Sequence, residues 1–376
     1  MSVTMPHWII NGRFAGQPVT GVQRYAGQIV RAIDKQLDED AGRSDLTVEM
    51  LVPPGTEVPF ALSHIPVRTV GRASGHMWEQ LELPRYAKSH GLLSLANTGP
   101  ILKSSHIVCI HDTNTRTCPD SYSRNFRALY RVLHPALGHT ANRIATVSQF
   151  SASELVRLGI AQSSKIIVAP NGFEHALAWK PVHNDATRKA AGPNTIVVLG
   201  SAAPHKNIAM LLGLAPRLAA DGFQLAIAGL TDSKVFAGSA QASGSDTSTV
   251  QWLGRVSDDA LAALLQDSLC LAFPSLTEGF GLPPLEAMAR GCPVVVTNRA
   301  SLPEICGAAA LYAPPDAPDA WLAHFRSLRA EPELRRRQSE LGRTQAAHFS
   351  WHRSAATYLA AMSGRQDPIV TQAVAR

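Results

Sequence analysis

No stretch of the chain approaches eighteen consecutive apolar residues, so no helix is expected to cross a membrane. The amino terminus lacks a basic segment followed by an apolar one, and no secretory leader is expected. Cysteine is scarce: the five residues (109, 118, 270, 292, 306) are an odd number without CxxC spacing. Buried free thiols in a reducing compartment are the expectation, with the cytoplasm as default location. GxGxxG spacing is missing from the first glycine-bearing loop, which counts against a dinucleotide-dependent dehydrogenase. Short-period repeats and a pyridoxal-phosphate signature are also wanting. Asp38-Glu39-Asp40 matches an Asp-x-Asp metal signature only formally, because it falls at the polar end of a helical pattern. No metal, resident cofactor or nucleic acid is expected.

What remains is ordinary for a globular enzyme. With 376 residues, 45% of them apolar, the chain can bury a full core and divide into two domains. Charge is uneven: residues 1–180 hold 18 Lys and Arg against 13 Asp and Glu, whereas residues 181–376 hold 17 against 16. A basic first half suits an anionic partner, such as a membrane surface or a phosphate-bearing acceptor; a plain solvated surface is the alternative.

Apolar runs alternate with helical patterns, which predicts α/β architecture with parallel sheets. Strands are expected near 8–10, 46–52, 92–95, 107–110, 144–147, 166–168, 195–199, 224–228, 250–253, 269–273 and 293–297. Helices are expected near 22–37, 76–89, 123–138, 151–158, 207–220, 257–266, 283–290 and 319–349. Trp78 and Leu81 share a helical stripe and read as core. The mixed stretch 173–194 reads as a boundary, and the small polar segment 238–248 as a mobile loop. The outline is two Rossmann-like domains, 1–178 and 179–350, with strand ends facing across a cleft and a final helical segment, 351–376, crossing back to the first.

The most informative segment is Pro274 to Gly291, in which Glu278 lies in a glycine-bearing loop after a strand and Glu286 inside the helix beyond it. That junction presents free backbone N–H groups and a positive helix end, a natural seat for phosphate. An acid on each side can grip hydroxyls at both ends of a sugar nucleotide. Thr20-Gly21 leads into a helix carrying Arg24, and Gly21 lets backbone approach an anion; an ordinary turn is the alternative. His111-Asp112 follows a buried strand, where the histidine can bond substrate hydroxyls or carry a proton. Asp112 can orient that histidine or cap local backbone. Near a second helix start, Lys206 can pair with a diphosphate and His205 can add a donor. Asn171-Gly172 closes the first domain with a turn signal.

With these residues placed, the chain resembles the retaining GT-B glycosyltransferases of family four, from Asn11 to about Tyr358, most specifically in Glu278-x7-Glu286. The resemblance implies a nucleotide-sugar-binding second domain and an acceptor-binding first domain. In it, Glu286 holds ribose hydroxyls and Glu278 faces the donor sugar beside its anomeric carbon. Gly279 and the N–H groups of Phe280, Gly281 and Leu282 contact sugar and diphosphate, and Lys206 neutralises the departing diphosphate, with His205 as a further contact. Gly21 approaches the diphosphate and His111 sits near the donor sugar, leaving Thr20, Arg24, Asp112 and Asn171 on the acceptor side. Family members usually need no metal. The expected activity is transfer of a hexose, with a lean to mannose from GDP-mannose, to a lipid-linked or growing glycan in bacterial polysaccharide or lipopolysaccharide synthesis. A sugar-nucleotide epimerase or hydrolase and a non-catalytic binding subunit are the alternatives. One departure is chemical: relatives carry an arginine near the phosphate-binding lysine, where this chain has Ser201 and His205.

Overall fold

The computed structural model describes residues 6–39, 46–229 and 250–364. The 238–248 segment and Asp40 lie outside them. The chain forms two compact units, Met1–Gly172 joined by residues from Ser350 onward, and Phe173–Phe349.

The first unit is built on a parallel sheet of seven strands: β1 (His7–Asn11), β2 (Thr47–Val52), β3 (Val67–Thr69), β4 (Gly91–Ser94), β5 (His106–Cys109), β6 (Arg143–Thr146) and β7 (Ile166–Val168), in the order β3-β2-β1-β4-β5-β6-β7. Central strands β4 and β5 are buried at every residue, as expected where helices cover both faces. Edge strand β3 was not legible in sequence, because Val-Arg-Thr is short and exposed throughout. An edge this short and polar also resists pairing with other chains.

The second unit carries a six-stranded parallel sheet: β8 (Thr195–Leu199), β9 (Gln224–Ala228), β10 (Val250–Gly254), β11 (Cys270–Phe273), β12 (Val294–Thr297) and β13 (Ala310–Ala313), in the order β10-β9-β8-β11-β12-β13. Its core joins Ile196 and Val198 of β8 to Leu211, Leu214, Trp321 and Phe325 from flanking helices.

Three expectations need correction. The boundary falls at Gly172/Phe173, not after residue 178. The reason is the short helix Glu174–Leu177, whose residues bond within the second unit: His175 to Glu286, and the Ala176 carbonyl to Arg290. The expected 319–349 helix is two, Pro318–Ala330 and Pro332–Ala346. Glu331 between them leaves the helical region (φ −120°, ψ 86°), because a residue preceding proline is sterically pushed out of the α region. Trp78 is fully buried, but Leu81 is 55% exposed. Residues Trp78–Glu82 form a π turn, whose wider winding carries Leu81 off the buried stripe and turns Glu79 inward. The 173–194 stretch, which starts at that boundary, also holds the helix Asp185–Ala190 behind an Asn184–Thr187 capping box.

The helix Trp351–Met362 completes the first unit by packing on Gly21–Glu39. Tyr358 and Tyr25 hydroxyls meet at 2.9 Å, and the Trp8 indole donates to the Met362 carbonyl at 3.0 Å. Gln36 donates to the His352 carbonyl at 2.7 Å.

Candidate functional site

In the second unit, three loops at the carboxyl ends of β8, β11 and β12 assemble one constellation. Apolar β11 ends at Phe273, and the 274–281 loop then returns to the helix Leu282–Ala289. Gly281 caps that helix at φ 105°, a left-handed conformation costly for any residue with a Cβ. An added Cβ there would also sit 2.7 Å from Leu302 Cδ2. Gly281 provides no capping side chain, so the first turn is left without one. Pro283 and Pro284 lack N–H groups, which confines the donors of this helix start to its first residues.

Neighbouring loops fix the geometry. The Leu276 amide donates to the His205 carbonyl at 2.7 Å, tying the β11 loop to the Pro204–Lys206 turn. Thr297 Oγ1 donates to the Ser275 carbonyl at 2.6 Å. Ser301 Oγ lies 3.0 Å from the Glu278 carbonyl and 2.7 Å from that of Phe280, so one hydroxyl proton serves two loop carbonyls. Asn207 is left-handed (φ 52°) and donates to the Pro315 carbonyl, turning the chain sharply after Lys206.

The outcome is a direct pair: Lys206 Nζ stands 2.7 Å from Glu278 Oε1, with side chains 22% and 12% exposed. Lys206 also lies 5.6 Å from the centre of the Phe273 ring. Sequence reasoning placed these groups at opposite tasks, and the fold brings them together. Glu278 thus occupies the ammonium's anion position, and Lys206 fixes the carboxylate orientation. His205 is buried, and burial, then the adjacent Lys206 charge, pushes its imidazole below the ordinary histidine range. It is therefore largely neutral near pH 7 and does not stand in for the arginine that the resemblance leads one to expect beside the lysine.

Glu286 is 5% exposed, and its Oε1 lies 2.8 Å from Nε2 of His175, itself buried. A carboxylate so enclosed is tolerable only with such partners. Arg290 Nη1 donates to the Ala176 carbonyl at 2.7 Å, holding the His175 segment against the same helix. His175, Ser301 and Thr297 escaped sequence reasoning because nothing local marks them. His175 and Glu286 are 111 positions apart.

The remaining candidates belong to the first unit. His111 is buried, and its Nε2 bonds the Leu95 carbonyl at 2.9 Å, which requires the proton on that nitrogen. Burial pushes its pKa down to about 4. A neutral imidazole with Nε2–H committed is poorly suited to shuttle protons, but its Nδ1 is an acceptor. The Asp112 carboxylate accepts from the Asn114 amide at 2.9 Å, so it caps local backbone. Gly21 opens the helix Gly21–Glu39, and a Cβ there would meet nothing within 4 Å. Packing therefore does not demand glycine at this position. Thr20 is exposed, with its hydroxyl on Gln23, and its carbonyl accepts from the Arg24 amide at 2.9 Å. Asn171 is buried. Among the described residues no group of three His, Cys, Asp or Glu could hold a metal ion, and no helix is long and apolar enough to cross a membrane.

Residues 180–345 match the family model "Glycosyl transferases group 1". The chain is 30% identical over 269 residues to O-antigen chain mannosyltransferase B of Escherichia coli, covering 65% of this chain and 66% of the relative. It is also 30% identical over 288 residues to MMP alpha-(1->4)-mannosyltransferase of Mycolicibacterium hassiacum, covering 72% and 67%. Among solved structures, Anabaena HepE in complex with UDP and glucose superposes with a TM-score of 0.68 at 15% identity, covering 95% of this chain and 100% of that one. Two parallel α/β units, the Glu278-x7-Glu286 loop and helix, and these similarities converge: the chain belongs to the group 1 glycosyl transferases, family four, with the GT-B fold.

Proposed function

We propose that the chain transfers a hexose, mannose from GDP-mannose foremost, to a lipid-linked or growing glycan in bacterial polysaccharide synthesis, retaining the anomeric configuration. The carrying observation is the Lys206–Glu278 pair beside the uncapped start of the Leu282–Ala289 helix. Parting a sugar from a diphosphate develops positive charge on the ring and negative charge on the phosphate. A preorganised cation and carboxylate stabilise both ends without reorganising when the bond breaks. In this reading the diphosphate takes Lys206 as its counter-ion, joined by backbone N–H groups of Phe280, Gly281 and Leu282 with Gly279 alongside. The freed Glu278 turns to the sugar.

Glu286, held by His175 through Oε1, presents its carboxylate to ribose hydroxyls. Gly21 and His111 receive the diphosphate and sugar contacts that the resemblance implies, His111 as acceptor through Nδ1 and not as proton carrier. Thr20, Arg24, Asp112 and Asn171 remain the acceptor-side assignments. Mannose is supported by the names of two relatives, both mannosyltransferases. Contact with an anionic membrane surface from the cytoplasmic side is part of the proposal. Among the basic residues of the first half, Lys103 adds nothing to such a contact, being buried with its ammonium on the Lys88 carbonyl at 2.5 Å.

A panel of sugar nucleotides screened for thermal stabilisation tests the donor, since a ligand that binds only the folded state raises its melting point. GDP-mannose is expected to give the largest shift. Glu278→Ala should abolish transfer while the protein stays folded, and near-normal turnover refutes the assigned role. Donor consumption that ignores every added glycan would replace this reading with the epimerase or hydrolase one.

A further inference from the structure

A cavity of about 560 Å³ in the first unit is lined by Arg116, Arg124, Arg127 and Arg131, together with Thr115 and Leu158 among others. Arg116 comes from the short helix Asn114–Thr117, and the other three from the helix Arg124–Thr140, where spacings of three and four keep them on one face. No carboxylate lines the cavity. Among the described residues none of the four arginines forms an ion pair. Four guanidinium groups around one space repel each other unless an anion joins them.

A second observation is geometric. Arg116 Nη2 already donates to the Arg131 carbonyl at 3.1 Å, which fixes the guanidinium plane. Fixed, planar donors suit phosphate oxygens above other anions.

We infer that this cavity binds a phosphate ester, as a mono- or diphosphate group carried either on a lipid headgroup or on a soluble molecule. The site does not depend on the donor reading, since none of its residues lies in the Phe173–Phe349 unit.

The probe is inorganic pyrophosphate, titrated calorimetrically into the full chain carrying Lys206→Gln, which removes the second unit's phosphate cation. Binding should persist in that variant and weaken at least tenfold when Arg127→Gln and Arg131→Gln are added. It should also weaken as salt rises. Arg124→Glu, at an exposed first-turn position, provides a second test that does not threaten folding and should weaken binding comparably. Pyrophosphate affinity unchanged within twofold by both sets of substitutions would overturn the site, as would its complete loss in Lys206→Gln alone. Sedimentation with phosphatidylglycerol or phosphatidylcholine vesicles separates the sources. Arginine-dependent pelleting with the anionic lipid only assigns a headgroup, whereas pyrophosphate binding without pelleting assigns a soluble ester; either result supports the site.

Discussion

Replacing His175 by alanine is the sharpest test of how the Glu286 carboxylate is held. The substitution removes a 2.8 Å hydrogen bond between two buried side chains and leaves one carboxylate oxygen without that donor. A hydrogen bond to a charged group contributes about 1.5–3 kcal/mol, and a buried oxygen that loses a donor keeps its desolvation cost. The second unit runs from Phe173 to Phe349. For a domain of that size the loss corresponds to a drop of roughly 3–12 °C in its melting temperature. Expressed in binding, the same energy is a rise of roughly 10- to 150-fold in donor KM. The assay is paired: thermal unfolding followed by circular dichroism, and initial rates against donor concentration. KM should rise more than kcat falls, because the carboxylate is assigned to ribose and not to the reacting carbon. His175→Gln, whose amide can still donate, should recover part of both losses. Unchanged melting and unchanged KM in His175→Ala would refute the reasoning.

Further expectations concern the same loops and the first unit. Gly281→Ala meets both a left-handed backbone and Leu302 at 2.7 Å, so it should lower stability by about 1–3 kcal/mol, read by urea unfolding. Ser301→Ala strips a donor from two loop carbonyls and should lower stability by about 1–3 kcal/mol and reduce kcat, with the donor-free fold retained by circular dichroism. Burial depresses His111 and His134 to about 4 and His106 to about 3, so the unfolded chain binds more protons than the native one below the ordinary histidine range. Stability contributed by these neutral rings is complete above about pH 6.5 and is lost as pH falls towards 4. Acid titration of unfolding should show that slope, and His111→Asn should make it shallower.

Much of the fold was legible because parallel strands covered on both faces must be apolar throughout, and such runs stand out. The runs at 195–199 and 224–228 coincide with β8 and β9. Elements whose stability comes from elsewhere were not legible. Edge strand β3 has no apolar run, β13 is only half buried, and short helices such as Glu174–Leu177 depend on tertiary partners. The π turn at Trp78 was hidden because its burial pattern mimics an ordinary helix for one turn and then departs. At the site, spacing exposed Glu278 and Glu286 as a set, because the acids share one loop and helix. Spacing could not reveal that Lys206 reaches Glu278 or that His175 reaches Glu286, since those contacts span 72 and 111 positions.

The C-terminal helix that seals the Tyr25 region has a kinetic corollary. During synthesis the stretch 173–349 leaves the ribosome as one uninterrupted unit, with all its own strands in hand. The lobe begun earlier must wait for Trp351, Tyr358 and Met362 before its Tyr25 and Trp8 contacts can close. Birth order and completion order are therefore reversed: the lobe started first is finished last, after every element of the second has been translated.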